Sequence, residues 1–308
     1  MLHSALHALF GLALLLLAPP LLLGVIGRTK AAFAGRQGPP WIQPYRELAR
    51  LWHKGSVFST TTTLVFRLGP IVGLGAVLLA AQFVPLGGHP ALLAFEGDLF
   101  AVVYLLALAR FALALAALDT GSAFEGMGAA REVTFGALAE PALLFGFLIL
   151  ARLSGAWTLS EMMAPELWHH WTHAGAAPLV LVAVSWFIVL LAENARIPFD
   201  DPQTHLELTM VHEVMVLDHS GPLLAIVQYA AALKLFVYAA LLQRVVLPAS
   251  GEGPAYNWLI FVVSLLAIAV LVGVVESVTA RLRMLTVPKL LVAAALSAAF
   301  GVLLLTRG

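Results

Sequence analysis

Eight stretches of this chain are apolar over a length that crosses a bilayer, and that pattern constrains the fold more than any single residue does. They run over residues 6–26, 68–86, 99–118, 135–153, 176–192, 221–247, 257–279 and 287–305. A hydrocarbon layer of about 30 Å takes about 20 helical residues to span. The hydrophobic share is 61% against 11% charged, and the mean hydropathy is +0.95, which leaves too little polar surface to cover a soluble domain. The expected fold is therefore all-α, a polytopic membrane protein with about eight transmembrane helices and long loops, in a single membrane domain over residues 1–308. The first run is read as a retained helix, not a signal peptide: no basic region precedes it, its apolar stretch is too long, and Arg28 and Lys30 follow it. Prolines and glycines inside the runs do not break the pattern, because neighbouring helices re-satisfy the freed backbone groups.

The formal net charge is zero, so nothing points to nucleic acid or to a broadly acidic partner. With no cysteine, the chain cannot form a disulfide, ligate an iron–sulfur cluster through thiolates or use a catalytic thiol. Any electrons handled by its assembly belong to other subunits. The basic residues fall unevenly. Arg28, Lys30, Arg36, Arg46, Arg50, Lys54, Arg67, Arg131, Arg196, Arg281 and Arg283 lie in segments 27–67, 119–134, 193–220 and 280–286, which eight crossings place on one side. The other side has Arg152, Arg244 and Arg307. The positive-inside rule puts the first set in the cytoplasm and both termini outside, in the cell's inner (cytoplasmic) membrane. On the outer side, Trp157, Trp168 and Trp171 stand beside three histidines between Ser154 and Gly175 and read as an interfacial aromatic belt in preference to a metal site.

Two loops carry the polar character. The first, 27–67, is basic and dense in Gly, Pro and Gln before it turns helical through Leu48, Leu51 and Trp52. Arg28, Lys30, Arg36, Gln37 and Arg46 are its candidates for docking a partner module or lipid headgroups. The second, 193–220, gathers Glu193, Arg196, Asp200, Asp201, His205, Glu207, His212, Glu213 and Asp218. Asp201–Pro202 reads as an N-cap followed by proline at the first helical position, which predicts an amphipathic helix over 202–217. On it Leu206, Met210, Val214 and Leu217 form an apolar stripe, while His205, Thr209, His212 and Glu213 share another face. Position 216 is valine, so His212-Glu213 does not open a zincin motif. An ion shared by His205 and His212 with Glu213 or Asp218 is set aside, since nothing else in the segment has ligand spacing. No nucleotide-binding loop is present, and no catalytic or metal-binding residue is assigned.

Arg110, Glu140, Glu193, Lys234 and Glu276 fall within or at the ends of apolar runs. A buried ion costs several kcal/mol, so each must find a partner or change protonation state. Together with the acidic loop these residues read as a proton path, in which movement of a cation relative to a carboxylate captures or releases a proton. The competing reading is a set of structural interhelical ion pairs.

The segments Arg28-x-Lys30, Gly35-Arg36-Gln37-Gly38-Pro39, Gln43-Pro44 and Glu193-Asn194-x-Arg196-x-Pro198-Phe199-Asp200 resemble the two signature loops of subunit 1 of respiratory complex I. The stretch from Asp200 to Pro222, and Gly126-Met127-Gly128-Ala129-Ala130-Arg131-Glu132, are more similar to the branch of formate hydrogenlyase subunit 4 and hydrogenase-4 component C. The resemblance implies a non-catalytic membrane subunit beneath a hydrogenase-like module, linking its redox event to proton movement. It also implies partners: hydrogenase-like large and small subunits, an iron–sulfur subunit and antiporter-like membrane subunits, in a lipid bilayer. The nickel–iron centre and iron–sulfur clusters would then lie in those partners, with no cofactor in this chain. In quinone-using relatives the same loops wall a quinone chamber. Here Gln228-Tyr229 stands where those enzymes place Glu-Tyr, which favours the hydrogenase branch over a quinone-chamber subunit. A standalone secondary transporter is a third class, and the chain has no clear internal repeat to support it.

Overall fold

The computed structural model describes residues 2–171, 175–200, 210–248 and 253–307. Among the described residues the chain is all α, with no strand. Eight helices are long and apolar enough to cross a membrane: α1 (Leu2–Phe33), α3 (Leu64–Gln82), α4 (Asp98–Asp119), α5 (Ala123–Ser154), α8 (Ala176–Glu193), α10 (Gly221–Val246), α11 (Pro254–Val278) and α12 (Val287–Arg307). Shorter helices lie between them: α2 (Gln43–Trp52), α6 (Leu159–Met162), α7 (Leu167–Trp171) and α9 (His212–Met215). The chain is a multi-pass membrane protein.

Small residues set how closely the spans pack. A Cβ built on Gly69 of α3 would stand 2.7 Å from the Ala112 carbonyl oxygen and the Ala116 methyl of α4, so that hairpin closes backbone to backbone. Gly273 of α11 faces Thr29 and the Ile26 carbonyl of α1 in the same way. Between these contacts lies a core of Phe147, Leu150, Trp186, Leu190, Phe236 and Phe261 from α5, α8, α10 and α11.

The connections separate by side, as the charge pattern requires. On one side Asp119 at the end of α4 accepts from the Thr63 N–H (2.6 Å) and hydroxyl (2.8 Å) at the start of α3, and the Leu282 N–H donates to the Pro198 carbonyl (2.9 Å). On the other, Asp98 accepts from the Leu159 N–H (2.8 Å). Of the tryptophans expected to form the aromatic belt, Trp157 and Trp168 are exposed there, and Trp171 donates to the Val245 carbonyl (2.9 Å).

Three boundaries differ from the expectation. Helix α1 runs to Phe33, so Arg28 and Lys30 ride on its last turns instead of a loop. Helix α5 begins at Ala123, not at 135. Its first turns carry Glu125, Arg131 and Glu132, which hydropathy assigned to a loop, but these charges meet protein partners, and Gly128 lets the helix approach Val211 and Val214 closely. The predicted helix over 202–217 is described only from residue 210, and there it is a single turn, His212–Met215. The reason is local: the Val211 and His212 N–H groups donate to the Asp200 carboxylate (3.0 and 3.1 Å), which starts the helix afresh at that point. Met210 and Val214 of the expected stripe are buried, but Leu217 is exposed.

Helix α1 also carries Pro19 and Pro20 in its interior. Proline removes a ladder N–H and displaces the carbonyl four residues back. The Leu16 carbonyl is covered by the Tyr229 hydroxyl of α10 (2.8 Å). The Tyr45 hydroxyl of α2 donates to the Leu17 carbonyl, and its own oxygen accepts from the Leu21 N–H.

Candidate functional site: a buried ionic chain

Glu193 is the last residue of α8 and lies among three other spans. One carboxylate oxygen meets Arg110 Nη1 of α4 at 3.4 Å and the other meets Lys234 Nζ of α10 at 3.4 Å. Arg110 reaches on to Glu140 of α5 at 2.9 Å, and Lys234 reaches back to Glu132 of α5 at 3.9 Å. The buried Tyr238, one turn beyond Lys234, lines the same narrow space as Glu193, Arg110 and Glu140. Three carboxylates thus share two cations on four helices. Room for the guanidinium exists because position 136 is glycine: any Cβ there would overlap Arg110. An isolated charge of this kind in a membrane interior is prohibitive, whereas the alternating arrangement lets each ion stabilise the next. Glu140 differs from the rest, since its side chain is 35% exposed on the flank of the protein.

A cavity of about 360 Å³ opens beside this chain, bounded by α1, α2, α10 and the α8–α9 connection. On its wall the fully buried Glu276 of α11 pairs with Lys30 (2.9 Å) and Arg196 (3.5 Å). Asn194 and His212 line this cavity and also a smaller one, of about 70 Å³, that reaches Arg110, Glu132, Glu193 and Lys234. His212 therefore stands between the open chamber and the buried ions. Burial lowers its proton affinity below the ordinary imidazole value, and Lys234 and Arg196 act in the same direction against Glu213 and Asp200. The loop that presents it is held by Asp200, which also pairs with Arg281 (2.7 Å), and by Arg131, which donates to the Met210 carbonyl (2.9 Å).

The structure thus brings Glu140, Glu193 and Lys234 into one cluster, and sets Arg196, His212 and Glu213 on the adjoining cavity. Asp200 is a loop anchor, and the exposed Asp218 lies apart, its N–H donating to Glu125 (3.2 Å). Asp201, His205 and Glu207 lie outside the described residues. Among the docking candidates, Arg28, Arg36, Gln37 and Arg46 are exposed, with Arg28 above the Trp41 ring at 5.8 Å. Lys30 points inward to Glu276. Sequence reasoning did not select Glu132, Tyr238 or Asn194 for the site. The signals were present: Glu132 and Glu140 share a helical face at a spacing of two turns, as Lys234 and Tyr238 do at one.

His219, at the entrance to α10, is 3% exposed and stacks on Phe66 at 4.1 Å. Burial lowers its pKa to about 4. The unfolded chain binds this proton near the ordinary value of about 6.5, so the stability due to neutral His219 is complete above that value and is lost as pH falls toward 4. That loss amounts to on the order of 3 kcal/mol. Thermal unfolding in detergent is expected to show this acid sensitivity, and His219→Phe is expected to flatten it; an unchanged acid limb in the variant would place its origin elsewhere.

Fold and site together define a multi-pass membrane protein whose spans enclose a chain of paired ions, joined on one side of the bilayer to a polar cavity. The chain belongs to the NADH dehydrogenase family, whose family model matches residues 6–307. It is 35% identical over 292 residues to hydrogenase-4 component C of Escherichia coli (strain K12), covering 92% of this chain and 90% of that one. It is 30% identical over 293 residues to formate hydrogenlyase subunit 4 of the same organism, covering 93% and 94%. Among solved structures, the fold matches a chain of the membrane-bound sulfane sulfur reductase (MBS), an archaeal respiratory membrane complex. That match has a TM-score of 0.83 and 22% identity, and covers 97% of this chain and 98% of that one.

Proposed function

We propose that this chain is the membrane anchor and proton-coupling subunit of a complex I-related, membrane-bound hydrogenase in the cytoplasmic membrane. It docks a peripheral redox module made of hydrogenase-like large and small subunits and an iron–sulfur subunit, and it links electron transfer there to ion movement. The observation that carries this reading is the succession of polar groups from the open cavity, through His212 and Asn194, which line both cavities, to Lys234, Glu193, Arg110 and the partly exposed Glu140. A charge change above the cavity alters the field at His212 and Glu276. The cations between Glu132, Glu193 and Glu140 then redistribute, and the proton affinity of each carboxylate follows its nearest cation. Glu140 is the point of exit. A carboxylate on a lipid-facing flank is costly, so this flank is covered by a second membrane subunit, of the antiporter-like kind that the relatives' branch implies, which takes the proton onward. The chain holds no cysteine, and the nickel–iron and iron–sulfur centres are assigned to the partners.

A second reading has its own observation. The 360 Å³ cavity is walled by Pro20, Leu23, Ile26 and Leu224 as well as by its charged groups, a lining that also suits a quinone headgroup and the start of its tail. Addition of a short-chain quinone to the purified complex separates the two, because only a quinone-reducing assembly will turn it over.

Docking is tested by reversing exposed charge. Arg36→Glu with Arg46→Glu is expected to release the module while leaving the membrane domain folded, since exposed loop charges add little to folding but direct association. Affinity purification through a tag on this chain from gently solubilised membranes, read by mass spectrometry, gives the answer. Retention of the module by the doubly reversed variant moves the docking surface elsewhere. Recovery of the unaltered chain with no hydrogenase-like or iron–sulfur partner overturns the reading.

A further inference from the structure

On the face of the bilayer opposite His212, a separate cluster joins the N-terminal end of α1 to the rest of the molecule. His7 of α1 and His89 of the α3–α4 connection stack at 4.1 Å with 19° between their planes. His89 in turn stacks on Trp258 of α11 at 5.5 Å, and Phe10 meets the edge of Trp258 at 4.9 Å. Trp258 Nε1 donates to His7 Nδ1 at 3.3 Å, so that nitrogen is the unprotonated one. His89 Nε2 is buried with no hydrogen-bond partner. Gly87, at φ +56°, lets the connection pass directly beneath the Trp258 ring. A cavity of about 250 Å³ lies against the cluster, lined by His7, His89, Gln82 and Trp258 together with aliphatic side chains of α1 and the α3–α4 connection.

We propose that the His7–His89 pair is a pH-sensitive clasp: while both rings are neutral it fastens the N-terminal end of α1 to α11 and the α3–α4 connection, and protonation from that face releases it. The geometry opposes charge on either ring. A proton on His7 Nδ1 would set one N–H against the Trp258 N–H that now donates to it, and would abolish that hydrogen bond. A proton on His89 would create a cation in the wall of the cavity, stacked on its partner imidazole. Among the described residues, the titratable or charged groups acting on His89 are His7 from α1 and Arg244 from α10. Gln82 of α3 and Trp258 of α11, which line the same space, do not titrate. Arg244 is 3% exposed and donates to the Met163 carbonyl, so it is a fixed positive neighbour. Burial lowers the proton affinity of His89, with His7 and Arg244 acting in the same direction. Protonation of His89 therefore needs a pH below the ordinary histidine value of about 6.5, so the clasp is closed above that value and opens as pH falls below it. This inference does not rest on the proposed function; if protons are delivered to this face, their accumulation would loosen the end of α1 there.

The chain has no native cysteine, which allows a single reporter. A nitroxide on Leu6→Cys, at an exposed position beside His7, reports the mobility of the end of α1 in the full chain held in lipid nanodiscs; Leu303→Cys on α12 is the control. Between about pH 8 and about pH 5 the immobile spectral fraction at Leu6→Cys is expected to fall by roughly half or more, with no change at the control. In His7→Phe/His89→Phe, which keeps two stacked rings but cannot titrate, the Leu6→Cys signal is expected to stay immobile throughout. If that double variant does not fold, His7→Gln/His89→Phe, which keeps an acceptor for the Trp258 N–H and likewise cannot titrate, is read the same way. Equal mobility at both pH values in the otherwise unaltered chain, or a transition that persists in the phenylalanine variants, overturns the clasp.

Discussion

Arg110→Met is expected to lower the stability of the membrane domain by on the order of 3–5 kcal/mol, the usual consequence of removing one partner from a buried ion group. Among the described residues Arg110 is the only cation that pairs with both Glu140 and Glu193, and Lys234 alone cannot balance three carboxylates. The loss is electrostatic before it is steric, since methionine fills much of the same volume. Adding Glu193→Gln to Arg110→Met should recover part of it, because the two sites are coupled and their effects do not add. Gly136→Ala makes the same test without touching a charge: its methyl group occupies the place of the guanidinium and should displace Arg110 from both carboxylates. Denaturation midpoints in detergent, with the yield of monodisperse chain as a second measure, decide the matter. A variant lacking Arg110 that is as stable as the parent would mean that these carboxylates are already neutral and need no counterion.

The largest functional effect is expected at Glu193. Glu193→Gln keeps the shape of the side chain and much of its hydrogen bonding but cannot ionise in the relevant range. Arg110 and Lys234 then lose the group they share, and the segment between His212 and Glu140 is interrupted. In proteoliposomes holding the assembled complex, ion translocation should fall by about 10²-fold, the scale on which a positioned proton-transfer group acts, while complex assembly stays near the parent level. Glu140→Gln should reduce translocation less, because its half-exposed position leaves room for water to substitute. Parallel loss of assembly and translocation would identify Glu193 as a structural ion-pair residue. Normal translocation in a normally assembled variant would remove it from the path altogether.

The eight crossings were legible because hydropathy over about 20 residues is a local property that the bilayer enforces. What stayed hidden depends on contacts between distant segments. Lys30 carried the same signal as Arg28 and Arg36, but it turns inward because Glu276 lies on the helix packed against α1. Glu132 read as loop because its neighbours Glu125 and Arg131 are charged, and only the packing of α5 against α4 and α9 makes a buried helix of that segment. The expected helix over 202–217 failed in its described part because Asp200 binds the N–H groups at residues 211 and 212, a competition that helical periodicity does not register. Of the prominent acidic loop only Glu193 joins the buried cluster, whose other carboxylates come from α5.

The double proline in α1 also bears on how the chain enters the membrane. Pro19 and Pro20 withhold the N–H groups that would meet the carbonyls of residues 15 and 16, which makes this span a poor partner for lipid, and the hydroxyl that covers the Leu16 carbonyl belongs to Tyr229, on a helix synthesised after four more crossings. Until α10 arrives, α1 must be shielded by the insertion machinery or by water at the kink. The order of completion then runs against the order of the sequence: α1 leaves the ribosome before α10 but is completed only after it. Truncated chains that end before Tyr229 should accordingly remain bound to the insertion machinery, whereas those that include it should be released into the bilayer.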